Sequence, residues 1–146
     1  MAKSLYYKID KCLGCKSCEI ACAIAHGEGG NIFLTIREGV LPRKKVYYCE
    51  GKNYPLSCLH CKEHPCVNAC IAGALTYDAE KKLVLHDEKK CVGCWICVMV
   101  CPYGAIRPDF KKKIPLRCDK CKDKDKPQCV IACPTKAIIW EEETVI

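Results

Sequence analysis

Sixteen of the seventeen cysteines in this 146-residue chain fall into four quartets. The first is Cys12, Cys15, Cys18 and Cys22; the second is Cys58, Cys61, Cys66 and Cys70. The third is Cys91, Cys94, Cys97 and Cys101, and the fourth Cys118, Cys121, Cys129 and Cys133. Every quartet opens with C-x2-C and closes with C-x3-C, so only the middle spacing varies. Three quartets share a tail: Cys66-Val-Asn-Ala-Cys70 runs on to Ala74-Leu75, Cys97-Val-Met-Val-Cys101 to Ala105-Ile106, and Cys129-Val-Ile-Ala-Cys133 to Ala137-Ile138. Such a repeat points to one metal-binding unit copied four times.

Three chemistries compete for these thiols. Disulfides fit poorly, because the cysteine count is odd and Met1–Asp10 lacks the apolar core of a secretory leader. The expected setting is the reducing cytoplasm, where dense cysteine signals metal. A zinc site favours two separated C-x2-C knuckles whose four sulfurs meet at one ion. Here Cys12–Cys18 and Cys91–Cys97 each place three thiols within seven residues, which suits three corners of a cube better. The spacing C-x2-C-x2-C-x3-C followed by proline is the bacterial run for [4Fe–4S] clusters, and Pro102 and Pro134 supply that proline in two quartets. The reading is therefore four [4Fe–4S] clusters. The chain is expected to turn helical after each third cysteine, putting the fourth one turn on and facing away from the first cube. In two-cluster ferredoxins that fourth thiol ligates the other cluster, so quartets should work in pairs.

Other composition agrees. Leu, Ile, Val and Phe are scarce for a chain of this length, so side-chain packing alone is a thin source of stability. The longest uncharged stretch, Cys91–Ile106, is sixteen residues, below the roughly 18–20 a membrane-spanning helix needs. The formal charge of +7 counts the cysteines as neutral thiols. An oxidised cube with four thiolates carries about −2, so four of them bring the total to about −1. Basicity is therefore no argument for nucleic-acid binding. Lys111–Lys113 and the lysines at 120, 122, 124 and 126 read as solvated charge, with docking of an acidic partner as the sharper alternative.

Short strands are expected at Leu5–Ile9 and Ile138–Glu142, bracketing the chain. Hairpins are expected at Leu75–Tyr77 with Leu83–Leu85, and at Ala105–Arg107 with Ile114–Leu116. Helices are expected at Glu19–His26, Pro65–Ala69, Val98–Cys101 and Pro127–Ala132. Gly27–Lys45 reads as a loop with one extra strand in the apolar run Asn31–Ile36. Cys49 stands outside the quartets as a structural or free thiol, beside Tyr47 and Tyr48 in a half-buried strand. His26, His60, His64 and His86 read as surface or supporting groups, with His60 placed to tune a cluster by hydrogen bonding. Trp95 and Tyr103 read as shielding. No nucleophile–base pair, phosphate loop or flavin fingerprint is present, so the chain reads as an electron carrier with no catalytic residue of its own.

Four segments carry a family resemblance: Lys11-Cys-Leu-Gly-Cys-Lys-Ser-Cys-Glu-Ile-Ala-Cys22, Cys58-Leu-His-Cys-Lys-Glu-His-Pro-Cys-Val-Asn-Ala-Cys70, Cys91-Val-Gly-Cys-Trp-Ile-Cys-Val-Met-Val-Cys-Pro-Tyr-Gly104, and Arg117-Cys-Asp-Lys-Cys121 with Cys129-Val-Ile-Ala-Cys-Pro-Thr135. Over roughly Ile9–Ile139 the chain resembles the four-cluster ferredoxin-like electron-transfer subunits of the dimethyl-sulfoxide-reductase and formate-dehydrogenase type. The short form with Cys22-Ala-Ile-Ala-His26 looks most like the iron–sulfur partner subunit of carbon monoxide dehydrogenases. The resemblance implies an α+β fold of two bacterial-ferredoxin-like 2[4Fe–4S] units, one inserted in the other. The outer unit would comprise residues 1–48 and 108–146, the inserted unit 49–107. It implies cluster one on Cys12, Cys15, Cys18 and Cys133, and cluster two on Cys118, Cys121, Cys129 and Cys22. Cluster three would take Cys58, Cys61, Cys66 and Cys101, and cluster four Cys91, Cys94, Cys97 and Cys70. It further implies single-electron relay from a carbon monoxide dehydrogenase to a flavin NAD(P)H oxidoreductase or hydrogenase, with formate dehydrogenase systems as the other candidates. A zinc-binding scaffold is the reading from another class.

Overall fold

The computed structural model describes residues 2–142. Its strands all form two-stranded antiparallel ribbons, four among the described residues. β1 (Lys3–Tyr7) pairs with β8 (Ile138–Glu142), setting Leu5 against Trp140 and Tyr7 against Ile138, so the first and last strands meet. β2 (Lys45–Cys49) pairs with β3 (Lys52–Leu56), β4 (Leu75–Asp78) with β5 (Leu83–His86), and β6 (Arg107–Asp109) with β7 (Ile114–Leu116). The helices are α1 (Ser17–Ala25), α2 (Ile32–Glu38), α3 (Pro65–Asn68), α4 (Ile96–Met99) and α5 (Gln128–Ala132). α1 packs on α5, and α3 on α4.

Several expected boundaries move, each for a local reason. The first strand ends at Tyr7 because Ile9–Lys11 form a 3-10 turn, which hands the chain to Cys12 through a Cys12 N–H bond to the Ile9 carbonyl. β6 covers Arg107–Asp109 rather than Ala105–Arg107, and Pro108 lies within it, opposite Pro115. A pair without N–H groups fits a non-hydrogen-bonded register, and every strand of a two-stranded ribbon is an edge that tolerates proline. Asp109 then closes the hairpin by accepting from the Lys111 and Lys112 N–H groups. α4 starts at Ile96, two residues earlier than expected, because Trp95 takes the left-handed backbone that opens it. The expectation that each fourth cysteine sits on a helical turn holds at one position. Only Cys22 lies inside a helix; Cys70, Cys101 and Cys133 come just after theirs.

The segment 27–45 holds a helix, not a strand. Asn31 caps α2 by accepting from the Leu34 N–H at 3.0 Å, and Gly39 ends it in left-handed backbone. Phe33 and Ile36 on α2 remain 82% and 71% exposed. Tyr48 is also exposed, so β2 is less covered at its end than expected.

Two small nuclei replace a single core. Cys18, Val46, Cys129 and Ile138 form one, with Leu5 and Tyr7 against it. Cys66, Leu75, Val84 and Ile106 form the other, with Tyr77 and Val98 against it. The first draws on quartets one and four, the second on quartets two and three. The β2–β3 hairpin crosses the expected join between residues 48 and 49, and its Val46 belongs to the first nucleus. Among the described residues no helix is long and apolar enough to cross a membrane.

Candidate metal centres

The four quartets share one backbone course. The residue before the second cysteine is left-handed in each: Gly14 (φ 70°), His60 (50°), Gly93 (68°) and Lys120 (56°). Alternating handedness of this kind turns successive N–H groups into one concavity that favours anions. Each third cysteine is then the second residue of a helix, in Ser17-Cys18, Pro65-Cys66, Ile96-Cys97 and Gln128-Cys129. Lys16, His64 and Trp95 enter those helices in left-handed backbone, while the fourth enters through Pro127, which cannot adopt it. Three residues past the fourth cysteine the chain turns left-handed again, at Gly73, Gly104 and Lys136. Glycine fills two of these turns and a lysine the third.

Three small cavities hold thiols in a three-plus-one pattern. Cys12, Cys15, Cys18 and Cys133 line one. Cys58, Cys61, Cys66 and Cys101 line another. Cys91, Cys94, Cys97 and Cys70 line the third. Val46, Pro55 and Ile138 wall the first, Val84 and Ile106 the second, Leu75, Ile96 and Pro115 the third. Trp95 lines the third cavity and stands 5.4 Å from the Phe110 ring. Tyr103 lines the second but is half-exposed. The remaining four quartet thiols feel one another as well. Burial, then the neighbouring charges of Cys22, Cys121 and Cys18, push Cys129 up to about 12, although Lys44 opposes this. Burial pushes Cys118 up to about 12, with Cys129 and Cys22 adding to it.

Burial makes several of these thiols resist ionisation. Burial pushes Cys18 and Cys97 up to about 11, because thiolates crowded in apolar walls lack solvation. Metal coordination supplies what water cannot. At Cys70 and Cys133 burial acts the same way, but the N–H groups of the following turn outweigh it and bring both thiols below the ordinary range. The Ala137 N–H donates to Cys133 Sγ at 3.2 Å, the Arg43 N–H to Cys22 Sγ at 3.3 Å and the Lys120 N–H to Cys118 Sγ at 3.4 Å.

The donor spacing distinguishes a cube from a point ion. Four thiolates on one zinc stand about 3.8 Å apart. Among the described residues, the three donor atoms found within 4.8 Å of one another belong to His26, Asp119 and Cys121; no three thiols of one cavity close to that distance. Buried polar atoms without partners gather on the same walls: His60 Nε2 and Arg117 Nε and Nη1 beside the Cys58 cavity, and His86 Nε2 beside the Cys91 cavity. Thiol-rich, donor-lined and too wide for one ion, the sites fit an anionic iron–sulfur cube.

The histidines hold supporting positions. His26 donates from Nδ1 to the Cys22 carbonyl at 2.7 Å and from Nε2 to Asp119 at 3.1 Å. Burial opposes its charge, but those hydrogen bonds prevail and raise it to about 9. Arg43 Nη1 donates to the other Asp119 oxygen at 2.8 Å. Burial would raise Asp119, yet His26 and Arg43 hold it at about 2. This triad ties the end of α1 to the loop of the fourth quartet. His60 Nδ1 accepts the Val84 N–H at 3.1 Å, which leaves it nothing to donate toward Cys58 Sγ, 3.9 Å away. Burial first, then Lys120 and Arg117, lower His60 to about 3, and because Nδ1 accepts, its hydrogen is on the buried Nε2. His64 meets the Tyr77 ring edge-on at 3.9 Å.

Cys49 is exposed at the end of β2, opposite Lys52 and outside all three cavities. Lys120 is tied down, donating to the carbonyls of Lys3 and Lys82. Sequence reasoning misses Lys44 and Arg117, both buried. Lys44 hides in the run Arg43-Lys44-Lys45, which has the look of surface charge; the one hint for Arg117 is its place immediately before Cys118.

Comparison with known proteins bears on the same residues. A family model described as a 4Fe-4S dicluster domain matches residues 49–143, and one described as a 4Fe-4S binding domain matches residues 9–25. The chain is 39% identical to an iron-sulfur protein of Rhodospirillum rubrum, over 92% of this chain and 79% of that one. It is 35% identical to electron transport protein HydN of Escherichia coli (strain K12), over 88% and 82%. It is also 35% identical to the polyferredoxin-like subunit of an aliphatic sulfonate oxidoreductase from Pyrococcus furiosus, over 85% and 67%.

Proposed function

The chain belongs to the 4Fe-4S dicluster family of iron–sulfur electron-transfer proteins, and from that premise we propose that it carries four [4Fe–4S] clusters and relays single electrons between two redox partners. The observation that carries this reading is the three-plus-one lining of three cavities. It supports the interleaved ligand sets: Cys12, Cys15, Cys18 with Cys133; Cys58, Cys61, Cys66 with Cys101; Cys91, Cys94, Cys97 with Cys70. The fourth set is Cys118, Cys121, Cys129 with Cys22, supported by their mutual electrostatic influence. This crossing makes quartets one and four an outer ferredoxin-like unit, broken by an inserted unit of quartets two and three.

The bound clusters supply one-electron redox chemistry. The chain supplies the rest. Its cysteines would hold the clusters between apolar side chains, with Cys15 and Cys94 at the exposed edge, and turn N–H groups would share the negative charge of the thiolates. As donor we propose a carbon monoxide dehydrogenase, on the strength of the Cys22-Ala-Ile-Ala-His26 segment, with a flavin NAD(P)H oxidoreductase or hydrogenase as acceptor and a cytoplasmic setting. A formate dehydrogenase is the other donor of matching chemistry.

Serine substitutions read by electron paramagnetic resonance test the ligand sets. Cys133→Ser is expected to alter the same cluster signal as Cys15→Ser, and Cys22→Ser the same as Cys121→Ser. Signals that pair by sequence quartet instead would overturn the interleaving. The partner is tested by mixing the oxidised protein with carbon monoxide dehydrogenase under carbon monoxide: bleaching near 400 nm is expected, and an unchanged spectrum removes that donor.

A further inference from the structure

The middle two quartets present nearly twin cavities, yet their charge differs. Each is walled by apolar side chains, and each has one histidine whose Nε2 is buried without a partner: His60 at the Cys58 cavity, His86 at the Cys91 cavity. The histidines therefore do not break the symmetry. Arg117 does. It is 3% exposed and lines the Cys58 cavity, not the Cys91 cavity; its charge also reaches Cys97 of the Cys91 cavity, but its contacts are with the Cys58 cavity. Its Nη2 points at Cys58 Sγ at 3.6 Å and at Cys66 Sγ at 4.0 Å. Nε and Nη1 are buried without partners, and no carboxylate among the described residues pairs with it. A buried guanidinium without a counter-anion is unfavourable unless negative charge lies beside it. Here the nearest negative charge is that of the thiolates and whatever they hold.

We propose that Arg117 sets the order of reduction within the middle pair: the cluster held by Cys58, Cys61, Cys66 and Cys101 takes an electron before the one held by Cys91, Cys94, Cys97 and Cys70. This rests on the cluster reading above. Reduction adds one electron from an external donor, with no bond made or broken, so the product is one unit more negative. A fixed cation in a low-dielectric wall stabilises that product more than the oxidised form. Arginine suits the task because it stays charged when buried, and its Nη2 alone faces both sulfurs. Arg117 is thus a positioning residue for charge, acting through the thiolates it touches.

The test is a stepwise dithionite titration of the anaerobic, iron-loaded protein, read by electron paramagnetic resonance, with iron measured in every sample. Cys61→Ser and Cys94→Ser assign the two middle signals. In Arg117→Gln the signal assigned through Cys61 is expected to need a tenfold more reducing balance, or 59 mV for one electron. Arg117→Lys is expected to restore more than half of that shift. A fully loaded Arg117→Gln protein with unmoved potentials overturns the inference, as does a shift confined to the signal assigned through Cys94. If Arg117→Gln does not load iron, the wild-type order decides: reduction of the Cys61 signal first supports the inference, and reduction of the Cys94 signal first overturns it. Wild-type protein without iron and sulfide would instead remove the cluster reading, before any titration begins.

Discussion

At Gly93 the backbone has φ 68°, and a Cβ would stand 2.8 Å from the Lys113 carbonyl oxygen. At Gly104 the handedness is the same (φ 58°), but a Cβ would meet nothing within 4 Å. The two positions separate strain from collision. Gly104→Ala is expected to cost about 1 kcal/mol, the typical penalty of left-handed backbone for a side chain. Gly93→Ala adds the clash, and about 2–3 kcal/mol is expected, because either the cysteine loop or the β6–β7 turn must give way. Thermal denaturation of both loaded variants measures the difference; equal losses would mean the Lys113 contact does not hold the loop. The buried cations show the opposite limit on reading single residues. Lys44, held by Tyr7 and Ser57, has no marker in the sequence that separates it from solvated neighbours, and Arg117, aimed at Cys58, has only its place before Cys118. Burial is a property of the whole fold.

At the scale of elements, α2 carries the plainest test. Asn31→Ala removes the side-chain acceptor for the Leu34 N–H and is expected to weaken the helix by about 1 kcal/mol. Hydrogen exchange should quicken about fivefold at the amides of Leu34–Glu38 and stay unchanged in α1 and α5. Unaltered exchange in α2 would show that the cap contributes nothing. This helix is also where sequence and structure part. The run Ile32-Phe-Leu-Thr-Ile36 reads as a strand for its β-branched and aromatic content, whereas its ends carry the deciding signals, an asparagine cap and a glycine stop. Elements built around cysteines are far more legible. Their spacing locates α1, α3, α4 and α5 because the third thiol must open a helix each time. The β4–β5 hairpin is legible from apolar runs on either side of Asp78–Lys82. β6 slips because Pro108 has the look of turn chemistry, when a two-stranded ribbon accepts it opposite Pro115.

The whole molecule is expected to depend on what its thiols hold. Two nuclei, each part cysteine, stand where an ordinary domain of this length has one aliphatic core. Binding energy at such sites is folding energy. Anaerobic chelation of iron is therefore expected to abolish the circular dichroism of the native fold together with the absorbance near 400 nm, in one transition. A spectrum unchanged after iron removal would mean that the apolar nuclei and ribbons suffice alone. The charge of the molecule depends on the same occupancy, since the formal +7 of the bare chain falls below zero once four anionic cubes are bound. The most direct measurement is elemental analysis of protein purified without oxygen. Four cubes predict about sixteen irons and about sixteen acid-labile sulfides per chain. About four zinc ions and no sulfide would contradict the account.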